Sequence, residues 1–350
     1  MSQAAIWIKN PLAIFAQDSD GGIVIKGQKI IELVPLGVRP KSQIDEVYDA
    51  SGSVVLPGLI NTHHHFYQTL TRAYPEALNK ELFPWLKSLY KVWANIQPEM
   101  LAVSTELALS ELLLSGCTTA SDHHYLFPSQ LENAIDIQVE EAQKIGMRVV
   151  LTRGSMSLGE KDGGLPPQSV VQTKEKILTD SERLIKAYHE SEEGAMTQIA
   201  LAPCSPFSVT TDLMIETAEI AQQYDVRLHT HLAETIDEEN FCLDKFGLRT
   251  VDYLESVGWL SDRTWLAHGI HFNQQEIQKL GDFGVGICHC PSSNMMLASG
   301  ICHSLELEEA GSTIGLGVDG SASNDGSNMI AELRQAMYLQ RLRYGASKIT

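Results

Sequence analysis

The sequence predicts an α/β fold, a (β/α)8 TIM-type barrel preceded by a small N-terminal β-sandwich domain. From Pro57 onward, short apolar segments alternate with longer helical patterns, which is typical of a parallel sheet covered by helices. Eight apolar segments can be counted, the number of strands in such a barrel. Four of them end in side chains that can bind or assist a metal, and a parallel barrel gathers these strand ends on one face.

Residues 1–56 are predicted to form the small β-rich domain. The strand patterns AAIWIKN and GGIVIKGQKIIELVP are separated by turns and followed by a polar stretch that ends in the apolar run 53–56. The barrel domain then occupies residues 57–350. Its eight candidate strands are residues 59–62, 118–121, 147–152, 198–202, 226–231, 264–268, 285–289 and 313–318. Several predicted helices end in a glycine suited to a C-cap, namely Gly116, Gly146 and Gly311.

Composition argues against several classes of protein. Asp and Glu number 44 against 26 Lys and Arg, and the formal charge of -18 would repel a phosphate backbone, so no nucleic-acid partner is expected. No apolar stretch is long enough to span a bilayer, and residues 1–9 lack the basic start and apolar core of a signal peptide. We therefore expect a cytoplasmic homo-oligomer that binds a small molecule. The six cysteines lack the spacing of a disulfide framework and are expected to be free, buried thiols.

The first candidate strand ends in three consecutive histidines, in the segment PGLINTHHH. Side chains alternate between the faces of a strand, so His63 and His65 point the same way and can share a metal, whereas His64 points elsewhere. The alternative is a polar loop that follows the strand. Three histidines directly after a Pro-Gly strand favour the metal site.

The segment LHTHLAE supplies a second histidine pair, followed by a carboxylate. Only one of His229 and His231 needs to be a ligand. His231 lies nearer to Glu234 and is the predicted ligand, while His229 is predicted to be a buried, hydrogen-bonded partner. A ligand beside a free carboxylate suits hydrolysis, because the metal acidifies a water molecule and the carboxylate moves its protons.

Two further candidates, His268 and Asp319, end the predicted sixth and eighth strands. A lone His after an apolar strand is usually structural, and a lone Asp before Gly is usually a turn residue. Their position on the same barrel face as the other groups favours a role in the site. Three neutral imidazoles and one carboxylate suit zinc or ferrous iron, with an open position for water. The fourth strand ends at Cys204 without a lysine to bridge a second metal, so one metal is expected.

The segments PGLINTHHH, HTHLAE, WLAH and GVDGS, in this order, resemble the amidohydrolase superfamily and in particular its deaminase and chlorohydrolase branch. This resemblance implies one divalent metal, Zn²⁺ or Fe²⁺, with a hydrogen bond from His268 to its bound water. It also implies that Asp319 takes a proton from that water and that Glu234 protonates a ring nitrogen and helps ammonia to leave. The implied metal ligands are His63, His65, His231 and Asp319.

Two side chains are candidates for binding the substrate. Gln68 follows the histidine motif as in guanine deaminase, where such a glutamine reads the purine edge, and its amide both donates and accepts hydrogen bonds. A solvated residue at a helix start is the alternative for Gln68. Arg153 ends the third strand and could meet a substrate carbonyl or brace a loop. The aromatic stretch 83–93 either covers the pocket or belongs to the core.

The segments SDHHYLFP, RGSM and HCPSSN most resemble the 8-oxoguanine deaminases of this branch. The expected function is therefore hydrolytic release of ammonia from a purine-like ring, with 8-oxoguanine converted to urate. The alternatives are deamination of guanine or isocytosine, dechlorination of an s-triazine, or an inactive barrel that acts as a binding protein. Relatives usually continue past the eighth strand to complete the small domain, so that domain is expected to be incomplete, without its C-terminal return segment.

Overall fold

The computed structural model describes residues 4–349, which divide into two compact units. The smaller unit extends to Gly58 and includes Glu192–Gly194. A mixed four-stranded sheet in the order β4-β3-β1-β5 and a two-stranded ladder of β2 with β6 build this unit, which fits the predicted small β domain. Its strands are β1 (Ala5–Lys9), β2 (Ala13–Ile14), β3 (Gly22–Lys26), β4 (Lys29–Val34), β5 (Glu46–Asp49) and β6 (Val54–Val55).

The larger unit contains a nearly closed barrel of eight parallel strands, which confirms the predicted fold. The strands follow one another around the sheet in the order of the sequence. They are β7 (Leu59–Asn61), β8 (Cys117–His124), β9 (Arg148–Ser155), β10 (Thr197–Pro203), β11 (Leu228–Leu232), β12 (Thr264–His268), β13 (Gly286–His289) and β14 (Ile314–Leu316).

The first and last barrel strands meet through a few specific hydrogen bonds. The Thr62 N–H donates to the Leu316 carbonyl at 2.9 Å, just beyond the end of β7. The Asn61 side chain accepts from the Val318 N–H at 2.9 Å. These contacts bring the histidine motif after β7 next to the chain that follows β14.

Helices alternate with the barrel strands as the sequence predicted. Gly146 and Gly311 follow α3 and α10 with φ of 77° and 112°, the left-handed conformation that glycine adopts readily at a C-cap. The helices are α1 (Leu82–Trp93), α2 (Pro98–Leu114), α3 (Ala134–Ile145), α4 (Lys174–Tyr188), α5 (Thr211–Tyr224), α6 (Ile236–Phe246), α7 (Thr250–Ser256), α8 (Gln274–Asp282), α9 (Pro291–Met296), α10 (Ser304–Ala310) and α11 (Met329–Tyr344).

Several strands extend further than the sequence indicated, among them β8 and β9. β8 runs to His124 rather than residue 121, because its polar end continues to pair with β9 as far as Arg153. All six cysteines are free and buried, as predicted. Within residues 4–349, no helix combines the length and the apolar character needed to cross a membrane.

Candidate metal centre

Four side chains at the carboxyl ends of barrel strands converge on one point. The Nε2 atoms of His65 and His231 lie 3.2 Å apart, and the Nε2 atoms of His63 and His65 each lie 3.3 Å from Asp319 Oδ1. Ligand atoms arranged tetrahedrally around zinc at its usual bond lengths stand about 3.3 Å apart. The buried His63 Nε2 has no hydrogen-bond partner among residues 4–349. Both observations fit a divalent metal held at this point.

Backbone carbonyls determine which ring nitrogen of His65 and His231 is free. The Nδ1 of His65 lies 2.7 Å from the His123 carbonyl, and the Nδ1 of His231 lies 2.6 Å from the Cys204 carbonyl. A carbonyl only accepts hydrogen bonds, so each Nδ1 carries the proton and each Nε2 keeps its lone pair. Burial lowers the pKa of His65 to about 3, helped by the neighbouring His63. Neutral imidazoles with lone pairs aimed at the same point are suited to binding a metal.

His63 is oriented through a second histidine. The Nδ1 of His229 lies 2.8 Å from the Trp265 carbonyl, so this nitrogen is protonated and the Nε2 of His229 accepts. That Nε2 lies 2.8 Å from His63 Nδ1, which therefore donates and leaves His63 Nε2 free. His229 is fully buried. It occupies the buried, hydrogen-bonded position that the sequence predicted for it.

We expect His229→Phe to weaken metal binding by about 10- to 100-fold, the usual cost of losing a partner that orients a ligand. Phenylalanine keeps a ring against Trp265 but cannot accept the His63 proton, so His63 can adopt the wrong tautomer. A competitive chelator titration measures the affinity. His124→Phe is the control, because His124 is equally buried and binds the Leu126 carbonyl instead of a ligand. Equal metal affinity in the two variants would contradict this role for His229.

His268 lies beside the four converging groups, with its Nε2 4.0 Å from Asp319 Oδ2 and 3.4 Å from Glu234 Oε2. The Asn294 Nδ2 donates to His268 Nδ1 at 3.0 Å. His268 Nε2 therefore carries the proton and points into the site. This geometry suits a donor to a water molecule, which is the role implied for His268 by the sequence.

The two carboxyl groups of the site lie in different environments. Asp319 accepts from the Ser293 hydroxyl at 2.6 Å and from the Gly320 N–H at 2.7 Å, and such donors stabilise the ionised form. Glu234 has only long side-chain contacts among residues 4–349, to Ser299 Oγ and His268 Nε2, each at 3.4 Å. Burial and the nearby charge of Asp319 raise the pKa of Glu234 well above its usual range. Opposite environments of this kind typically separate a proton acceptor from a proton donor.

The pocket next to these groups has largely aromatic and apolar walls. Helix α1 contributes part of the wall, so the aromatic stretch 83–93 both packs in the core and covers the pocket. The lining residues include Leu82, Trp85, Leu86, Tyr90, Tyr125, Cys204, Phe207 and Leu297. Walls of this kind can pack against the faces of a flat ring.

Gln68 lines the same pocket and is only 1% exposed, so the solvated alternative is wrong. Its Oε1 is buried without a hydrogen-bond partner among residues 4–349. A Cβ atom on Gly320 would overlap this oxygen, so a larger residue at position 320 would displace the amide. The wall of the pocket thus contains an amide whose oxygen has no partner among residues 4–349.

The structure does not bring Arg153 to the pocket. Its guanidinium binds Asp180 at 2.9 Å and Gln172 at 2.8 Å, and it stacks on Phe127. A buried guanidinium that already has these partners cannot also meet a substrate carbonyl. The expected role in substrate binding is therefore corrected, and the alternative that Arg153 braces neighbouring segments agrees with its contacts.

His64 points away from the four converging groups, as the sequence predicted, and its Nε2 lies 2.9 Å from Ser327 Oγ. Sequence reasoning did not assign Ser293 and Asn294, which contact Asp319 and His268. Both belong to the HCPSSN segment, immediately after the end of β13. Their position at the carboxyl end of a barrel strand is the signal that could have identified them.

Comparisons with known proteins agree with this geometry. Residues 54–349 match the model of the Amidohydrolase family. The chain is 67% identical to an 8-oxoguanine deaminase of Pseudomonas aeruginosa over 98% of this chain and 77% of that protein. It is 34% identical to an isoxanthopterin deaminase from an unknown prokaryotic organism, over 92% of this chain and 67% of that protein. The fold is similar to the crystal structure of an atrazine chlorohydrolase from Arthrobacter aurescens TC1 complexed with zinc, with a TM-score of 0.91. The two chains are 32% identical, and the match covers 98% of this chain and 78% of that chain.

Proposed function

This chain belongs to the amidohydrolase family, and from that premise we propose that it hydrolytically deaminates 8-oxoguanine with the help of one zinc ion. The family match confirms the resemblance carried by the sequence motifs. One structural observation carries the proposal. Glu234 lines the same pocket as the converging side chains and lies 3.4 Å from His268 Nε2. The high identity to an 8-oxoguanine deaminase supports this choice of ring.

The proposed zinc ligands are the Nε2 atoms of three neutral histidines and the Asp319 carboxylate. When bound there, zinc would act as a Lewis acid that makes a water molecule acidic enough to react near neutral pH. His268 would hold that water through its protonated Nε2. The three histidines are His63, His65 and His231.

The two carboxyl groups divide the proton transfers. Asp319, held in its ionised form, takes a proton from the water as the oxygen attacks the ring carbon that carries the amino group. Glu234, whose pKa is raised, donates a proton to the adjacent ring nitrogen. Of the two protons of the water, one reaches the amine and the other restores Glu234. The C–N bond then breaks, ammonia leaves and a carbonyl forms in its place.

Gln68 is proposed to form hydrogen bonds with the amide edge of the ring. Its amide can donate to a ring carbonyl and accept from a ring N–H, and its Oε1 otherwise lacks a partner among residues 4–349. The aromatic walls from α1 and Phe207 would pack against the ring faces.

We expect Gln68→Ala to lower kcat/KM for 8-oxoguanine roughly tenfold, the effect of losing one net hydrogen bond of about 1.4 kcal/mol. Gly320→Ala is expected to act in the same direction, because the added Cβ would displace the Gln68 amide. Gln172→Ala is the control, since that amide binds Arg153 outside the pocket. Steady-state deamination rates provide the measurement. Unchanged kcat/KM in Gln68→Ala would exclude the proposed contact.

Ammonia release from a panel of rings tests the substrate directly. The panel contains 8-oxoguanine, guanine, isocytosine, adenine, cytosine and a chlorotriazine, with chloride release followed for the last. The highest kcat/KM is expected for 8-oxoguanine. A higher kcat/KM for another ring would show that this other ring is the preferred substrate. If the protein binds no zinc and converts no compound of the panel, the alternative of an inactive binding protein is supported.

A further inference from the structure

The turn after β11 is held by a carboxylate from α6. Ala233 has φ of 52°, in the left-handed region that residues with a Cβ atom rarely adopt. The Ala233 N–H donates to Glu238 Oε1 at 2.9 Å, and the Glu234 N–H donates to Glu238 Oε2 at 3.0 Å. Glu238 is fully buried. Both oxygens of one carboxylate therefore bind two successive peptide groups of the turn.

The carbonyl side of Ala233 is held as well. Its oxygen accepts from the N–H groups of Ile270 and His271, each at 2.9 Å. These two residues follow shortly after His268 at the end of β12. The turn that carries Glu234 is thus connected to the strand end that carries His268.

The Glu234 carboxyl depends on this backbone for its direction. Its side-chain contacts, to Ser299 Oγ and His268 Nε2, are both 3.4 Å long. The backbone bonds to Glu238 are shorter, at 2.9 and 3.0 Å, and both end on the same buried carboxyl group. The position of the proton donor is therefore set mainly by its peptide backbone.

Capping of α6 does not account for these bonds. Thr235 is the N-cap of α6, and the sequence TIDE has the spacing of a capping box, in which the glutamate returns to the N-cap N–H. Glu276 makes such a bond at the start of α8, where its Oε2 accepts from the Asn273 N–H at 2.7 Å. Glu238 instead reaches the two residues that precede the N-cap.

We propose that Glu238 is a positioning residue that clamps the turn at Ala233 and so aims the Glu234 carboxyl at the reacting ring. The inference rests on the proposed function, because it assigns Glu234 as the proton donor. Loss of the clamp would let the Glu234 carboxyl move away from the ring nitrogen, and a displacement of 1 Å in such a group can lower the rate about 100-fold.

The test compares Glu238→Gln with Glu239→Gln in the zinc-loaded protein. In the Glu238→Gln variant, the amide would present one acceptor and one donor to two N–H groups, so one bond of the clamp is lost. Glu239 is a matched control, since it is the next residue of α6, is 5% exposed, and binds Arg249 and Thr250 instead of the turn. Measurements are kcat, KM, zinc content and the amide hydrogen exchange of residues 233 and 234.

In Glu238→Gln we expect faster exchange at the two amides and kcat about 100-fold lower, with zinc content and KM retained. Glu239→Gln is expected to resemble the wild type in kcat, KM, zinc content and amide exchange. Unchanged exchange would overturn the clamp, and unchanged kcat would overturn its role in positioning. If Glu238→Gln fails to fold, Glu238→Asp provides the same test, because it keeps the carboxyl group but is one methylene too short to reach both N–H groups.

The exchange measurement also separates this inference from the proposed function. A wild-type protein that deaminates no ring would refute the proposed function, and amide exchange would still decide whether Glu238 holds the turn. An active wild type with a fully active Glu238→Gln variant would refute only the positioning role.

Discussion

Replacing Glu234 with glutamine is expected to lower kcat by about 10²- to 10⁴-fold while zinc remains bound. Glutamine has nearly the same shape as glutamate, so the pocket and the four proposed ligands stay in place. It has no acidic proton to give to the ring nitrogen, however, and the raised pKa of Glu234 shows that the native environment favours the protonated acid. Elemental analysis and steady-state kinetics on the same preparation test both parts of this prediction.

Glu276→Gln is the control for this experiment. Glu276 is a buried carboxyl in the same unit, 3% exposed, but it caps α8 and pairs with Arg249. Its replacement is expected to lower thermal stability and leave kcat unchanged. Normal turnover in Glu234→Gln would remove Glu234 from the mechanism. Loss of zinc from that variant would instead indicate that Glu234 supports metal binding.

Replacing His65 with asparagine is expected to weaken zinc binding by more than about 100-fold, because even the loss of a partner that orients a ligand costs 10- to 100-fold. Turnover should fall in parallel. The reason is geometric, since His65 Nε2 lies within 3.3 Å of both His231 Nε2 and Asp319 Oδ1. Zinc content after gel filtration and kcat with and without added zinc measure the effect.

His64→Asn is the matched control, at the adjacent position and equally deep in the protein. The His64 ring contacts Ser327 Oγ and accepts from the backbone N–H of His65, and neither contact involves a ring nitrogen of a proposed ligand. Its loss is therefore expected to cost stability of about 1 kcal/mol and leave zinc content unchanged. If His65→Asn retains zinc, or if only His64→Asn loses it, then the assignment of His65 rather than His64 to the metal site is wrong.

Much of the fold and the identity of the candidate ligands could be predicted from the sequence. The period of two along a strand separated His63 and His65 from His64, and closeness to Glu234 separated His231 from His229. Both arguments compare residues at most five positions apart along the chain, where the direction of the backbone limits how side chains are placed. The same reasoning could not place Arg153, because nothing within its strand indicates which of the two faces points into the barrel.

The structure contributed the contacts between distant segments. The orientation of His63 depends on His229, 166 residues away, and on the Trp265 carbonyl beyond it. The TIDE segment has the spacing of a capping box, whereas Glu238 binds the turn before the helix. Local spacing predicts a local bond, and it cannot reveal that a left-handed Ala233 turns two N–H groups toward the same carboxylate.

By itself, the sequence determined the barrel, its strand ends and the residue types available for a metal, because hydrophobic periodicity and strand alternation are local properties. Only the tertiary structure decided which nitrogen of each histidine is free, that Gln68 faces the pocket and that Arg153 does not. These features depend on hydrogen bonds between strands that are far apart in the chain. Such bonds exist only once the chain has folded and brought these segments together.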